Sequence, residues 1–136
     1  MRLAMLAVLL LASSRVAATE SAAKAGAAPA SNAATVVCTI RSPGEDGKTQ
    51  VDLDGPCRFL PEGKRGSFSL SALDGQQPLF EGILVLSVTV VAPGKAEVRG
   101  VTAEGINSRW GEARRSKADP ACWTGSDFEI CARRKE

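Results

Sequence analysis

CWTGSDFEIC, residues 122–131, is the stretch whose reading decides the fold. A two-residue reversal around Ser126 and Asp127 sets Cys122 opposite Cys131 and Trp123 opposite Ile130. Opposed residues of an antiparallel pair bring their Cβ atoms to roughly 4.5–5.5 Å, close to disulfide range. Alternation puts Trp123, Phe128 and Ile130 on one face and the cysteines with Glu129 on the other. The reading is a disulfide-stapled hairpin with one apolar face. It closes a longer stretch, Gly105 to Arg133, that holds both tryptophans and a dense set of basic residues.

Working outward from that hairpin, period-2 patterns recur. Val36, Cys38 and Ile40 alternate with Thr35, Val37 and Thr39, and Val51 and Leu53 with Asp52 and Asp54. Cys57-Arg58-Phe59-Leu60 resumes after Gly55-Pro56. Ser67 to Ala72 places Phe68, Leu70 and Ala72 inward and three serines outward. Gly82 to Ala92 is a long Val/Leu-rich strand, Pro93-Gly94 suits the middle of a type II turn, and Ala96 to Thr102 returns with Val98 inside. Few windows carry a 3.6-residue period, which leaves room for one short helix around Glu112 to Lys117. The expected fold is all-β: a small, stapled antiparallel sandwich or partly closed barrel of six to eight strands.

The chain opens with Met1-Arg2, an apolar run from Leu3 to Ala12 and the small residues Val16-Ala17-Ala18. That order is expected of a secretory signal, residues 1–18, cleaved after Ala18; the run is about half a membrane span. The first cysteine is Cys38, so no lipid attachment site adjoins the cleavage point and no membrane anchor is expected. Residues 19–34 are Ala-rich, without a large apolar side chain, and read as a flexible linker. Residues 35–136 form a single β domain. The protein is expected to be periplasmic or secreted.

Four cysteines in an exported chain imply two disulfides, with three pairings open. Loop entropy alone favours the long Cys38–Cys131 loop, at about 4.7 kcal/mol, over about 3.3 and 2.7 kcal/mol for the local loops. The hairpin geometry favours local pairing, Cys38–Cys57 and Cys122–Cys131, and that pairing is expected here.

GPCRF at 55–59, GSFS at 66–69 and ACW…ICA at 121–132 together resemble a family of small exported proteins of Gram-negative bacteria. The resemblance spans about Cys38 to Arg133. It implies one domain with paired cysteines and carries no activity. The size and stapling also resemble those of periplasmic lysozyme inhibitors, a likeness of architecture alone.

Chemistry narrows by elimination. The chain has no histidine, which removes Ser-His and Cys-His nucleophiles and the commonest metal ligand. Oxidised cysteines remove thiolate chemistry and Cys-only zinc sites. Carboxylate pairs remain, Glu112 with Asp119 or Asp127 with Glu129, but glycoside hydrolysis needs two carboxyls flanking a cleft roughly 5–9.5 Å apart. Asp52-Leu53-Asp54-Gly55 opens like a calcium loop, yet the twelfth position is Gly63 and not Glu. No enzyme, metal or cofactor is expected.

Of 17 Lys and Arg, Arg2 and Arg15 leave with the signal, giving 15 against 15 acidic residues. No basic excess on one face is evident, and a nucleic-acid partner is not expected. Contact is expected instead from Ser108–Lys117, with Ser108, Arg109, Trp110 and Arg114 as candidate binding residues and Trp123 nearby. Trp and Arg stack as cation–π pairs and dominate binding hot spots. On a regular strand Trp110, Glu112 and Arg114 share one face, and Arg109, Gly111, Ala113 and Arg115 the other. The expected function is a non-enzymatic binding module of the cell envelope, meeting a protein or glycan partner of envelope or host. Its narrower form is an inhibitor of a hydrolase such as lysozyme; a small carbohydrate-active enzyme is a distant third.

Overall fold

Eight antiparallel strands follow one another as a meander and close into a barrel, β8 pairing back onto β1. The computed structural model describes residues 32–136, so the expected signal and all but the end of the expected linker lie outside the described residues. The strands are β1 (Ala34–Pro43), β2 (Thr49–Glu62), β3 (Ser67–Ser71), β4 (Ile83–Ala92), β5 (Lys95–Thr102), β6 (Asn107–Arg115), β7 (Cys122–Thr124) and β8 (Glu129–Arg134). Closure decides between the two expected architectures: the fold is a complete barrel, not a sandwich, and β1 begins one residue inside the span read as linker. A sheet that closes on itself leaves fewer exposed edges than a sandwich does.

Alternation accounts for the interior. Val36, Cys38 and Ile40 point inward from β1 and are buried, as are Phe68 and Leu70 from β3, Leu86 and Val88 from β4, and Ala96 and Val98 from β5. Phe59 stacks on Phe68 with ring centroids 4.8 Å apart. Cys38–Cys57 joins β1 to β2 inside the core, Cα atoms 5.8 Å apart. Gly55-Pro56 does not interrupt β2, because β3 pairs with β2 only from Arg58 onward and Pro56 needs one partner, Val37. Pro93-Gly94 turns β4 into β5 with Gly94 at φ 70°, the sign a type II turn requires.

The C-terminal hairpin has the expected register: Cys122 faces Cys131, Trp123 faces Ile130, and the disulfide forms. Trp123, Phe128 and Ile130 join the core. The cysteines lie on the outer face yet are buried, because β8 also pairs with β1 and Arg133 donates to Cys122 Sγ at 3.3 Å. Ser69, expected outside, is also buried, while Val51 sits exposed near the open tip of β2.

Two expectations fail on β6. Glu112 to Arg115 is strand, paired to β5, where a short helix had room. Strict alternation also breaks, because the register slips between Val98 and Arg99 and Gly111 takes φ 122°. That bulge turns both Trp110 and Ala113 toward the core and leaves Arg109, Glu112 and Arg114 outside.

The meander also sorts charge. One end of the barrel carries the β2–β3, β4–β5 and β6–β7 loops and both ends of the described chain; its loops and strand tips hold nine Lys or Arg against three Asp or Glu. The four loops at the other end hold Lys48 against six acidic residues. The expectation of no basic excess on one face is therefore wrong. A net charge near zero is a sum over two ends of opposite sign.

Candidate functional site

The barrel wall is thinnest where β6 meets the C-terminal hairpin. β7 is three residues long and pairs with β6 only at Arg114–Thr124 and Arg115–Trp123 among the described residues. From Asn107 to Ala113, β6 keeps its partner β5 and, among the described residues, has no strand on its other side. Side chains plug this seam. Trp110 stands edge-on to Phe128 at 5.6 Å and to Phe80 at 5.9 Å, the geometry aromatic quadrupoles favour. A Cβ on Gly100 would come within 3.0 Å of the Trp110 indole nitrogen, so the bare backbone of β5 makes room for the ring. Gly125 does the same for Phe128, whose ring occupies the space a Cβ would need.

Above the plug lies an open cleft of about 250 Å³ lined by Ser42, Pro43, Arg109, Trp110, Asp127 and Phe128. Three elements converge on it: the end of β1, the unpaired part of β6 and the β7–β8 turn. The Arg109 side chain is mostly exposed and held by Glu97 through a paired hydrogen bond, one arm of which measures 3.2 Å. That bond holds the Glu97 carboxyl below its ordinary range, with the Arg109 and Arg99 charges adding to it, and raises the Arg109 guanidinium. Arg109 is thus a fixed cation at the rim. Asp127 is its counterpart on the facing turn and the one carboxylate in the lining.

The expected site residues divide. Arg109 and Trp110 meet at the cleft. Ser108 is half-buried and donates to the Gly100 carbonyl at 2.9 Å, which places it in the β5–β6 pairing. Arg114 is exposed, within 3.5 Å of Glu112, at the basic end and away from the cleft lining. Trp123 is 2% exposed and lies in the core, its ring covered by the Arg115 guanidinium at 4.8 Å, so it offers no contact surface. Of the carboxylate pairs, Glu112 and Asp119 separate, Glu112 on the outer face of β6 and Asp119 accepting from Arg133 in the β6–β7 loop. Asp127 and Glu129 stay together at the β7–β8 turn, with Glu129 paired to Arg41 at 2.5 Å. Cys122, Glu129 and Cys131 approach one another closely enough to suggest a metal, but the disulfide consumes both sulfurs.

Phe80, Ser42, Pro43 and Asp127 are members of the site that sequence reasoning did not assign to it. Asp127 and Phe128 were within reach, since the hairpin register fixes where its turn lies. Ser42, Pro43 and Phe80 were not, because only closure of β1 on β8 and the course of the β3–β4 loop bring them to the seam.

No protein-family model, curated protein or solved structure matched the chain.

Proposed function

We propose that the protein is an exported, non-enzymatic binding module of the bacterial cell envelope that engages a protein or glycan through the seam cleft. The observation that carries this reading is the meeting of Arg109, Trp110, Asp127 and Phe128 in one cleft beside an unpaired stretch of strand. Recognition sites combine an aromatic floor with a few placed polar groups, and this cleft has both. Among the described residues the lining sets one carboxylate, Asp127, against the fixed cation Arg109, and the nearby Glu129 is already paired to Arg41, which favours binding over turnover. Export is supported by the apolar run at Leu3–Ala12 and by two disulfides, which persist in oxidising compartments.

A photo-crosslinking residue at Ser42, on the cleft rim, tests the reading against one at Ser87, on the outer face of β4. In intact envelope, an adduct expected at Ser42 and absent at Ser87 supports it, and Trp110→Ala should abolish that adduct. Equal adducts at both positions, or none at Ser42, refute it. A hydrolase as the captured partner would narrow the reading to an inhibitor.

A further inference from the structure

The charge separation along the barrel has a use the cleft does not explain. At the basic end, Lys64 and Arg65 occupy the β2–β3 loop, and Lys95 opens β5 just after the β4–β5 turn. Arg114, Arg115 and Lys117 lead out of β6, and the chain leaves β8 through Arg133, Arg134 and Lys135. Of these nine cations, Arg133 has a close carboxylate partner in Asp119 and Arg114 a looser one in Glu112. Among them, Val91 stands on the outer face at the end of β4, 56% exposed, where alternation from the inward Val88 and Val90 places it. Val90, Val91, Ala92 and Pro93 with Arg65 line a shallow, mainly apolar depression of about 450 Å³.

We propose that this end docks on an anionic phospholipid bilayer, the cations meeting lipid phosphates and Val91 with Pro93 entering the headgroup boundary. Charge complementarity demands an anionic partner, since clustered Lys and Arg are drawn to acidic lipid surfaces. The exposed apolar tip inside the cationic rim favours a bilayer over a soluble polyanion, because an interface offers an apolar phase beside its charges. A second copy presenting its acidic end would also match in sign. That head-to-tail contact does not close and would grow into open chains, whereas a bilayer is satisfied by one barrel. Docked this way, the described chain begins at the surface and the acidic end faces away from it.

Sedimentation with lipid vesicles tests the proposal on the chain in its expected exported form, from Thr19, so that the apolar run at Leu3–Ala12 takes no part in binding. Binding is expected to phosphatidylcholine vesicles containing about one-third phosphatidylglycerol at about 0.1 M salt, with release near 1 M as screening shortens. Lys64→Glu with Arg65→Glu should weaken binding at least about tenfold. Val91→Asp should weaken it several-fold, whereas Leu73→Asp at the acidic end should not. All four substitutions are at exposed positions, and unchanged melting curves check that folding survives. Equal binding to pure phosphatidylcholine, or no effect of the Lys64/Arg65 reversal, overturns the proposal. So does binding of duplex DNA that Val91→Asp leaves intact and vesicles fail to displace, which would assign the end to a soluble polyanion. Light scattering that grows with protein concentration and disappears in the charge reversal would assign it to self-association instead. Arg109→Ala, an exposed change at the cleft rim, should leave vesicle binding unchanged, so failure here and failure of the cleft reading are separate results.

Discussion

Trp110→Ala removes the ring that both plugs the seam and floors the cleft. An aromatic side chain buries roughly 150–250 Å², and Trp110 is partly exposed, so the low end applies. At about 25 cal/mol per Å² that burial contributes about 4 kcal/mol. Alanine keeps the Cβ, but the edge-on contacts to Phe80 and Phe128 are lost, each worth roughly 0.5–1.5 kcal/mol. The two corrections oppose each other, and the expected loss is about 3–4 kcal/mol. For a domain of this size that is a fall in Tm of roughly 12–30 °C. Denaturant titration followed by the fluorescence of Trp123, then the sole tryptophan and buried in the core, measures it directly. A loss below about 1 kcal/mol, the surface range, would mean that the ring plugs nothing. A loss above about 5 kcal/mol, beyond the range for a fully buried ring, would mean that more than the seam collapses.

Replacing Cys122 and Cys131 together by alanine should cost about 2.7 kcal/mol, since the bridge closes a short loop; an unchanged denaturation midpoint would make the hairpin staple irrelevant to stability. Gly111→Ala should destabilise by about 1–3 kcal/mol, because φ 122° is foreign to residues with a Cβ, and calorimetry should show it without any lost contact. Glu97, Asp119 and Asp74 all have lowered pKa values, held respectively by the Arg109 hydrogen bond, by the Arg133 hydrogen bond, and by the backbone N–H groups of Gln77 and Gln76. Their folded pKa values lie below the unfolded ones, so the stability they add is present above the ordinary carboxylate range, near about pH 4, and is lost as pH falls through the folded values. Tm should therefore be level from neutral to mildly acidic pH and drop below it; Arg133→Gln should move the Asp119 carboxyl titration upward, and no movement by NMR would refute the pairing.

What the sequence disclosed, it disclosed through local period. The hairpin at 122–131, the inward sets on β1 and β3, Val98 on β5 and the local disulfides all follow from alternation and short loops, which need no knowledge of the rest of the chain. The misreadings are of two kinds. On β6 a single glycine with positive φ shifts the parity, and Gly111 looks no different in sequence from a glycine that does not. Trp110 was read as sharing a face with Arg114 for that reason, when it shares one with Ala113. The other kind needs topology: Ser42 and Phe80 reach Trp110, and nine cations reach one end, only because the meander returns alternate loops to the same side. Composition sums those charges to about zero and cannot show where they are. Trp123 misled differently, because a tryptophan beside basic residues fits a contact surface and a capped core equally well, and only the closed barrel distinguishes the two.

Both the cleft and its proposed partner contact depend on β6 lacking a neighbour from Asn107 to Ala113, and amide hydrogen exchange reads that directly. β5 has a strand on each side, so its amides from Ala96 to Val101 should exchange slowly throughout. In β6 only the amides directed at β5 should be protected, and the others between Asn107 and Ala113 should exchange orders of magnitude faster, near the rate of exposed loops. Uniform slow exchange along all of β6 would mean that the wall is sealed there by a strand, and the seam on which the functional reading stands would not exist.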